Sequence, residues 1–288
     1  MITRRVHGRQ FRLRPDPATN QIIAYVAAVF SEKYNIPLYA ICALSNHWHP
    51  CTGDPDGNIV AFTRDTHSFI ARATNCTYGD FESLWSSSQT SRVSCAQPQD
   101  LVRRIAYAMA NPVEAGLVKY GKNWPGIRKC WPCKPMTIKR PPKFFRGPKD
   151  GGKWPDEVTL RFSRPPGYED LSDDDLAALI EGAIDEREQE LRSKAEQAGK
   201  QFLGRRNVLR QSRKAFPSTR APRFGMSPRV GALDKWRRIE AIQRNRRWQR
   251  DYDAALKEWR AGNRDVVFPY GTHKMRLVHG VRCAPPPD

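Results

Sequence analysis

The stretch Leu38-Tyr39-Ala40-Ile41-Cys42-Ala43-Leu44-Ser45-Asn46-His47-Trp48-His49 sets the reading of this chain. Its opening run of seven apolar residues is short for a helix and suits a strand enclosed on both faces. Side chains alternate along extended backbone, so His47 and His49 project to one side while Trp48 turns to the other, toward a core. Two imidazoles on one face can hold a single divalent cation, although the further ligands of a conventional zinc site do not stand nearby at familiar spacings. Taken alone, the pair reads equally as surface decoration.

Outward from that strand the pattern becomes helical. Residues 20–35 space Ile22, Ile23, Val26, Ala27, Val29 and Phe30 on helical turns, and Asn35-Ile36-Pro37 closes them. After an Asp56-Gly57 turn, residues 59–74 set Ile59, Phe62, Phe69, Ile70 and Ala73 on one face. Residues 97–110 carry the stripe Leu101, Val102, Ile105 and Met109, and this helix is expected to stop near Asn111, because Pro112 disfavours the helical conformation in the residue before it. Residues 3–13 and 84–93 are weaker strand candidates. Strands interleaved with helices at this spacing predict a compact α+β domain over residues 1–130. On the third helix Arg103, Tyr107 and Asn111 are four residues apart and share a face, with Arg104 beside them. A phenol flanked by guanidinium and amide groups has the means to bind a phosphate and attack it; a core tyrosine ahead of a helix-ending Asn-Pro is the plainer reading.

The charge balance names a class of partner. Across 288 residues, 49 Lys+Arg against 30 Asp+Glu leave +19, which points to a polyanion, nucleic acid ahead of anionic lipid. The surplus is uneven: +7 over residues 1–135, −3 over 136–199 and +15 over 200–288. A 39% hydrophobic content with eight Trp argues against a disordered polybasic chain. The longest apolar run, residues 22–30, falls short of the roughly 18–20 residues that span a bilayer, and Met1-Ile2-Thr3-Arg4-Arg5 leads into no secretory segment, so no membrane partner and a cytoplasmic location are expected. Seven cysteines, an odd number, then read as reduced thiols, including the pair in Cys130-Trp131-Pro132-Cys133.

Beyond residue 130 the composition changes. Residues 131–170 are rich in Pro and Gly and read as a linker. An acidic helix follows, opened by Ser172 with Asp175 at the capping-box position, striped by Leu176, Leu179, Ile180, Ala183, Ile184 and Leu191, and ended by Gly199; it reads as a solvated amphipathic helix, with docking on basic surface of the same chain as the alternative. Residues 216–228 look like a loop. Residues 233–261 form the strongest later helix, with Trp248, Tyr252, Ala255 and Trp259 as a core stripe and Arg237, Arg238, Arg244, Arg246, Arg247 and Arg250 on the other faces, placed to meet phosphate. Residues 171–288 thus make an acidic helix followed by a basic helical extension. Near the start, Arg4, Arg5, Arg9, Arg12 and Arg14 alternate with Val6, Phe11 and Leu13, as a basic strand tracking a phosphate backbone or as an edge strand guarded by charge.

Two of these features together resemble a known family. Asn46-His47-Trp48-His49 resembles the His-hydrophobe-His signature of HUH single-tyrosine transposases, particularly the REP-associated tyrosine transposases and their insertion-sequence relatives. Tyr107-Ala108-Met109-Ala110-Asn111-Pro112-Val113-Glu114-Ala115-Gly116-Leu117-Val118 is similar to that family's tyrosine segment, and Leu84-Trp85 falls at a matching place between them. The likeness covers about residues 1–130. Ser45 stands where the family has Pro, and Glu114 where a basic residue is common.

The resemblance implies a ferredoxin-like antiparallel sheet carrying the His pair, and a helix presenting a nucleophile. It implies that His47, His49 and Asn111 hold Mg²⁺ or Mn²⁺, imidazole favouring Mn²⁺. Tyr107 would cleave and rejoin single-stranded or hairpin DNA through a 5′-phosphotyrosine in DNA transposition, with the arginines above contacting DNA. Whether one copy or a homodimer does so is left open. A catalytically silent DNA- or RNA-binding regulator on the same fold is the alternative, and a relaxase or replication initiator would share the chemistry.

Overall fold

The computed structural model describes residues 1–144, 153–219 and 229–285. The elements are β1 (Ile2–Arg5), α1 (Pro17–Lys33), β2 (Leu38–Leu44), β3 (His47–Thr52), α2 (Ile59–Tyr78), β4 (Ser91–Arg92), β5 (Ser94–Cys95), α3 (Pro98–Glu114), β6 (Arg128–Cys130), β7 (Met136–Lys139), β8 (Glu157–Leu160), α4 (Asp173–Gln197), α5 (Arg205–Arg210), β9 (Val230–Gly231), α6 (Lys235–Arg260) and α7 (Lys274–His279). The fold is α+β. A five-stranded antiparallel sheet runs in the order β4-β1-β3-β2-β6, beside two two-stranded pairs, β5-β9 and β7-β8.

β2 is buried at every position because it lies between β3 and β6 and is covered on both faces. The register sets Leu44 opposite His47, Ala43 opposite Trp48 and Cys42 opposite His49, and β1 sets Arg4 opposite Trp48 and Arg5 opposite His47. Trp48, 1% exposed, points to the side of α2, where its indole N–H donates to His67 Nε2 at 3.1 Å. The histidine pair is on the other side, and so is Cys51, whose thiol faces the Arg104 carbonyl of α3. The sheet therefore has α1 and α2 on one face and α3 on the other. β3 runs through Pro50 to Thr52.

Three expectations are revised. α3 does not stop at Asn111: it passes through Pro112 to Glu114. It ends instead at Gly116, at φ +68°, where Gly116 N–H donates to Val113 O and Leu117 N–H to Pro112 O, the paired bonds of a Schellman turn. Proline removes one helix bond but does not force an end when tertiary contacts hold the next turn.

Second, residues 131–170 are not merely connective. β7 and β8 pair antiparallel and roof α1, with Trp154, Phe144 and Phe162 buried in the main core. Trp154 packs edge-on to Phe30 at 6.0 Å, and Tyr25 donates to Pro155 O at 2.6 Å. That roof explains why α1, an apparently one-sided helix, is buried almost all round.

Third, α4 is not solvated on all sides. Ser172 caps it, accepting from Asp175 N–H, and Leu176, Ile180 and Ile184 are buried against α3 and the core. The basic strand expected over residues 3–13 is confined to β1, and most of residues 84–93 is irregular, closed by a Val6–Trp85 bridge and by β4. The carboxyl-terminal elements enclose a small second core, Ala255, Phe268, Met275 and Val281 with Tyr252 and Trp259 around it. Residues 145–152 of the Pro/Gly-rich stretch and 220–228 of the later loop lie outside the described residues.

Candidate active site between the sheet and the third helix

Four side chains expected from sequence converge. The His47 and His49 rings are 4.7 Å apart, nearly perpendicular, and the His49 and Tyr107 rings 5.7 Å apart. His47 Nε2 is 3.2 Å from Asn111 Oδ1. The sheet supplies the histidines at successive same-face positions, and α3 supplies Tyr107 and Asn111 one turn apart. Continuation of α3 through Pro112 is what keeps Asn111, 5% exposed, in helical register with Tyr107.

Each imidazole is oriented through its other nitrogen. His47 Nδ1 lies 2.6 Å from Asn46 Oδ1, an acceptor, so Nδ1 carries the proton and the Nε2 lone pair faces Asn111. With Asn111 Oδ1 toward it, two acceptors meet there, an arrangement relieved by a cation between them or by reversal of the amide. His49 Nδ1 pairs with Thr3 Oγ1 at 2.9 Å, while His49 Nε2 is buried without a hydrogen bond. Burial pushes the His47 pKa down to about 4, helped by Arg5 and Arg9 and opposed by the Asn111 bond. Burial, His47 and Arg5 hold His49 well below its ordinary value. Both rings are therefore neutral near pH 7, the form that ligates metals. An orphaned Nε2, a second Nε2 facing an amide oxygen, and polar partners fixing both rings from behind fit a divalent cation bound by two imidazoles and one carbonyl-type oxygen. Among the described residues no group of three or more His, Cys, Asp or Glu converges, here or elsewhere; at this site the third donor is the Asn111 amide oxygen.

Tyr107 is half-buried, and burial raises its pKa, as does Glu114; hydrogen bonding with Asn111 and the charges of Arg104 and Arg5 act the other way. The cations that act on the phenol are thus Arg104 and Arg5, whereas Arg103 is exposed. Arg5 projects on the histidine side of the sheet and is exposed; its carbonyl accepts from Ser86 N–H, and its guanidinium has no hydrogen bond or ion pair among the described residues.

The remaining arginines divide. Arg12, expected to meet phosphate, is 5% exposed. It pairs with Asp80 at 3.2 Å and donates to Asn75 Oδ1 at 2.7 Å and Ser83 O at 2.9 Å, so it braces the loop after α2. Arg4 donates to Ser88 O and Thr90 Oγ1, and Arg9 to Thr219. Arg237, Arg238, Arg244, Arg246, Arg247 and Arg250 are all exposed on α6. They do not join the converging side chains: α6 begins at the amino-terminal end of α3, where Leu233 N–H donates to Asp100 Oδ1, roughly 17 Å of helix from Asn111.

One support was missed from sequence. Arg128 of β6 donates through Nε to Met109 O of α3 at 2.6 Å and is held by Glu188 of α4 at 2.8 Å. Met109 lies between Tyr107 and Asn111, where Pro112 weakens the helix ladder, so Arg128 steadies the turn that carries both. Glu188, 5% exposed, also accepts from Gly121 N–H. A charged residue at the next i+4 position after Leu176, Ile180 and Ile184 was the available signal.

In comparison with known proteins, no family model, no curated protein and no solved structure matches this chain.

Proposed function

We propose that this protein cleaves and rejoins single-stranded or hairpin DNA through Tyr107 in the manner of an HUH single-tyrosine transposase, in a reducing cytoplasm that keeps its free cysteines as thiols. The observation that carries the reading is the convergence of His47, His49, Asn111 and Tyr107 from two sequence-distant elements. The strand order β4-β1-β3-β2, with α1 following β1 and α2 following β3, supports a ferredoxin-like sheet beneath that site.

His47, His49 and Asn111 would hold Mn²⁺ or Mg²⁺, which when bound supplies Lewis-acid stabilisation of charge on the phosphate. Asn46 and Thr3 fix the two rings so that neither must reorganise as charge develops. Arg5 offers a second cation to the phosphate. Tyr107 Oη forms a bond to phosphorus as the bond to the 3′ oxygen breaks. That oxygen leaves with a proton as a free 3′-OH, and the phenol proton passes to solvent, a loss made easier by Arg104, Arg5 and the Asn111 hydrogen bond. Rejoining is the same exchange run from a 3′-OH.

The second reading is a silent nucleic-acid-binding protein on the same fold, for which the burial that holds the Tyr107 phenol protonated is no obstacle. One experiment separates them. With Mn²⁺ and a single-stranded oligonucleotide, the wild-type protein is expected to form an SDS-stable adduct, and Tyr107→Phe to form none while binding within a few-fold of wild type. An adduct on Tyr107→Phe removes the phenol from the mechanism; binding without any adduct in the wild type selects the silent reading.

A further inference from the structure

A groove of about 680 Å³ lies past the carboxyl-terminal end of α3, lined by Val118, Lys119, Asn123, Arg192, Lys200 and Arg205. Its chemistry is that of an anion site. Tyr120, 40% exposed at its rim, gathers three cations: Arg192 lies 4.9 Å from the ring centroid, and Lys119 and Lys122 each 5.8 Å. Three like charges around one ring repel one another, and a tyrosine face offsets only part of that cost. Lys200 and Arg205 add two exposed cations. Glu196 is the carboxylate in the lining; Glu188 nearby is shared among Arg128, Gly121 N–H and Arg192, whose Nη1 lies 3.5 Å from Glu188 Oε2, so Arg192 is partly compensated from within the chain. Lys119, Lys122, Lys200 and Arg205 make no ion pair among the described residues, and an extended anion lying along the groove supplies the missing counter-charge.

The position says which anion. The groove walls are tied to the end of α3, since Leu203 N–H donates to Gly116 O and Gly204 N–H to Leu117 O. Asn111 lies about one helical turn and Tyr107 about two turns back along the same helix, roughly 5 Å and 10 Å from its last residue. Trp124 and Ile127, bonded to Ala43, bring this loop to the end of the sheet where β2 gives way to His47.

We propose that this groove binds the phosphodiester backbone of a single nucleic-acid strand a few nucleotides from the phosphate held at Tyr107, with Tyr120 spacing the cations that meet it. This deepens the function proposed above and rests on it. Nothing in the sequence pattern singled out these residues, because they come from the α3–β6 loop, α4 and the α4–α5 connection.

The test uses full-length protein carrying Tyr107→Phe, so that binding is read without cleavage. Lys119→Gln, Lys122→Gln and Lys200→Gln are combined; all three side chains are exposed, so circular dichroism is expected to match the parent. Affinity for a fluorescein-labelled single-stranded oligonucleotide is measured across a salt series. The expected result is at least a tenfold loss of affinity at low salt, and a fall of about 2 in the slope of log K against log salt, near 0.7 per lost phosphate contact. Unchanged affinity and slope overturn the groove while leaving cleavage by Tyr107 standing. Loss of binding to phosphatidylserine vesicles with oligonucleotide binding intact also overturns it, in favour of a lipid surface. Wild-type protein that forms the Tyr107 adduct, while the lysine substitutions in the Tyr107→Phe background show no effect on binding, separates failure here from failure of the reading beneath it.

Discussion

At the scale of single residues the core holds a further buried histidine, on the opposite face of the sheet from His47 and His49. His67 is buried between Trp48 and Trp85, accepts the Trp48 indole N–H, and has its pKa pushed down to about 3 by burial, with Arg4 and Arg92 adding to the shift. An unfolded histidine titrates near 6.5, so between about pH 3 and 6.5 the unfolded chain binds the extra proton. Stability therefore rises with pH through that window, is complete above about 6.5, and is lost as pH falls. His67→Gln keeps an acceptor for the indole without a titrating group. Between about pH 6.5 and pH 5 one such site is worth at most about 2 kcal/mol, or roughly 4–8 °C for a chain of this size. The drop in Tm over that span should shrink accordingly in His67→Gln, measured by thermal unfolding; an identical drop in both proteins would show that His67 is not a source of the acid sensitivity. Arg12 makes a related point. Its alternation with apolar neighbours looked like a phosphate contact, yet the pairing with Asp80 and Asn75, 68 and 63 residues away, puts it inside. Periodicity reports a face, and only tertiary partners say whether that face meets water.

At the scale of elements, what local pattern can encode was legible, and what depends on distant partners was not. β2 was bounded as Leu38–Leu44 from its apolar run, and the alternation of His47, Trp48 and His49 placed the pair and the indole on the correct sides. The likeness to a tyrosine segment brought Tyr107 and Asn111 to the histidines. The extent of α3 was misjudged because the rule for a residue before proline is local, whereas Arg128, α4 and the Schellman turn hold the last helical turn from outside. The roles of Glu188 and of β7–β8 were hidden for the same reason. A pair of substitutions tests where α3 is told to stop. Gly116 has φ +68° and open space around its Cα, so Gly116→Ala meets backbone strain alone and should cost about 1 kcal/mol, lowering Tm by about 2–4 °C. Pro112→Ala lies inside a helix that already continues, restores a missing donor, and should leave Tm unchanged or raise it. Calorimetry showing the reverse order would mean that Pro112, and not Gly116, terminates the element that carries Tyr107.

At the scale of the whole molecule, the +19 surplus is arranged about α3. The basic helix α6 begins at its amino-terminal end and the Tyr120 groove lies past its carboxyl-terminal end, with the candidate site between them. The two halves of the chain are not separable by a cut at residue 200. The stretch after α4 braces the site domain: Leu203 and Gly204 bond the end of α3, Ala215 accepts from Phe11 N–H, and Arg213 lies over Tyr78 at 3.4 Å. Removing residues 200–288 would therefore confound loss of charge with loss of these contacts. Neutralising α6 in place avoids that, because Arg244, Arg246, Arg247 and Arg250 are exposed and their helix is anchored by Ala255, Tyr252 and Trp259 on another face. Replacing these four by Gln should weaken oligonucleotide binding and reduce its salt slope by about 3, at 0.7–0.9 per phosphate contact, while the rate of adduct formation at Tyr107 under saturating oligonucleotide stays within about twofold of wild type. Loss of the adduct at saturation would place α6 inside the reaction and refute a division in which the extension supplies affinity and the sheet domain supplies the chemistry.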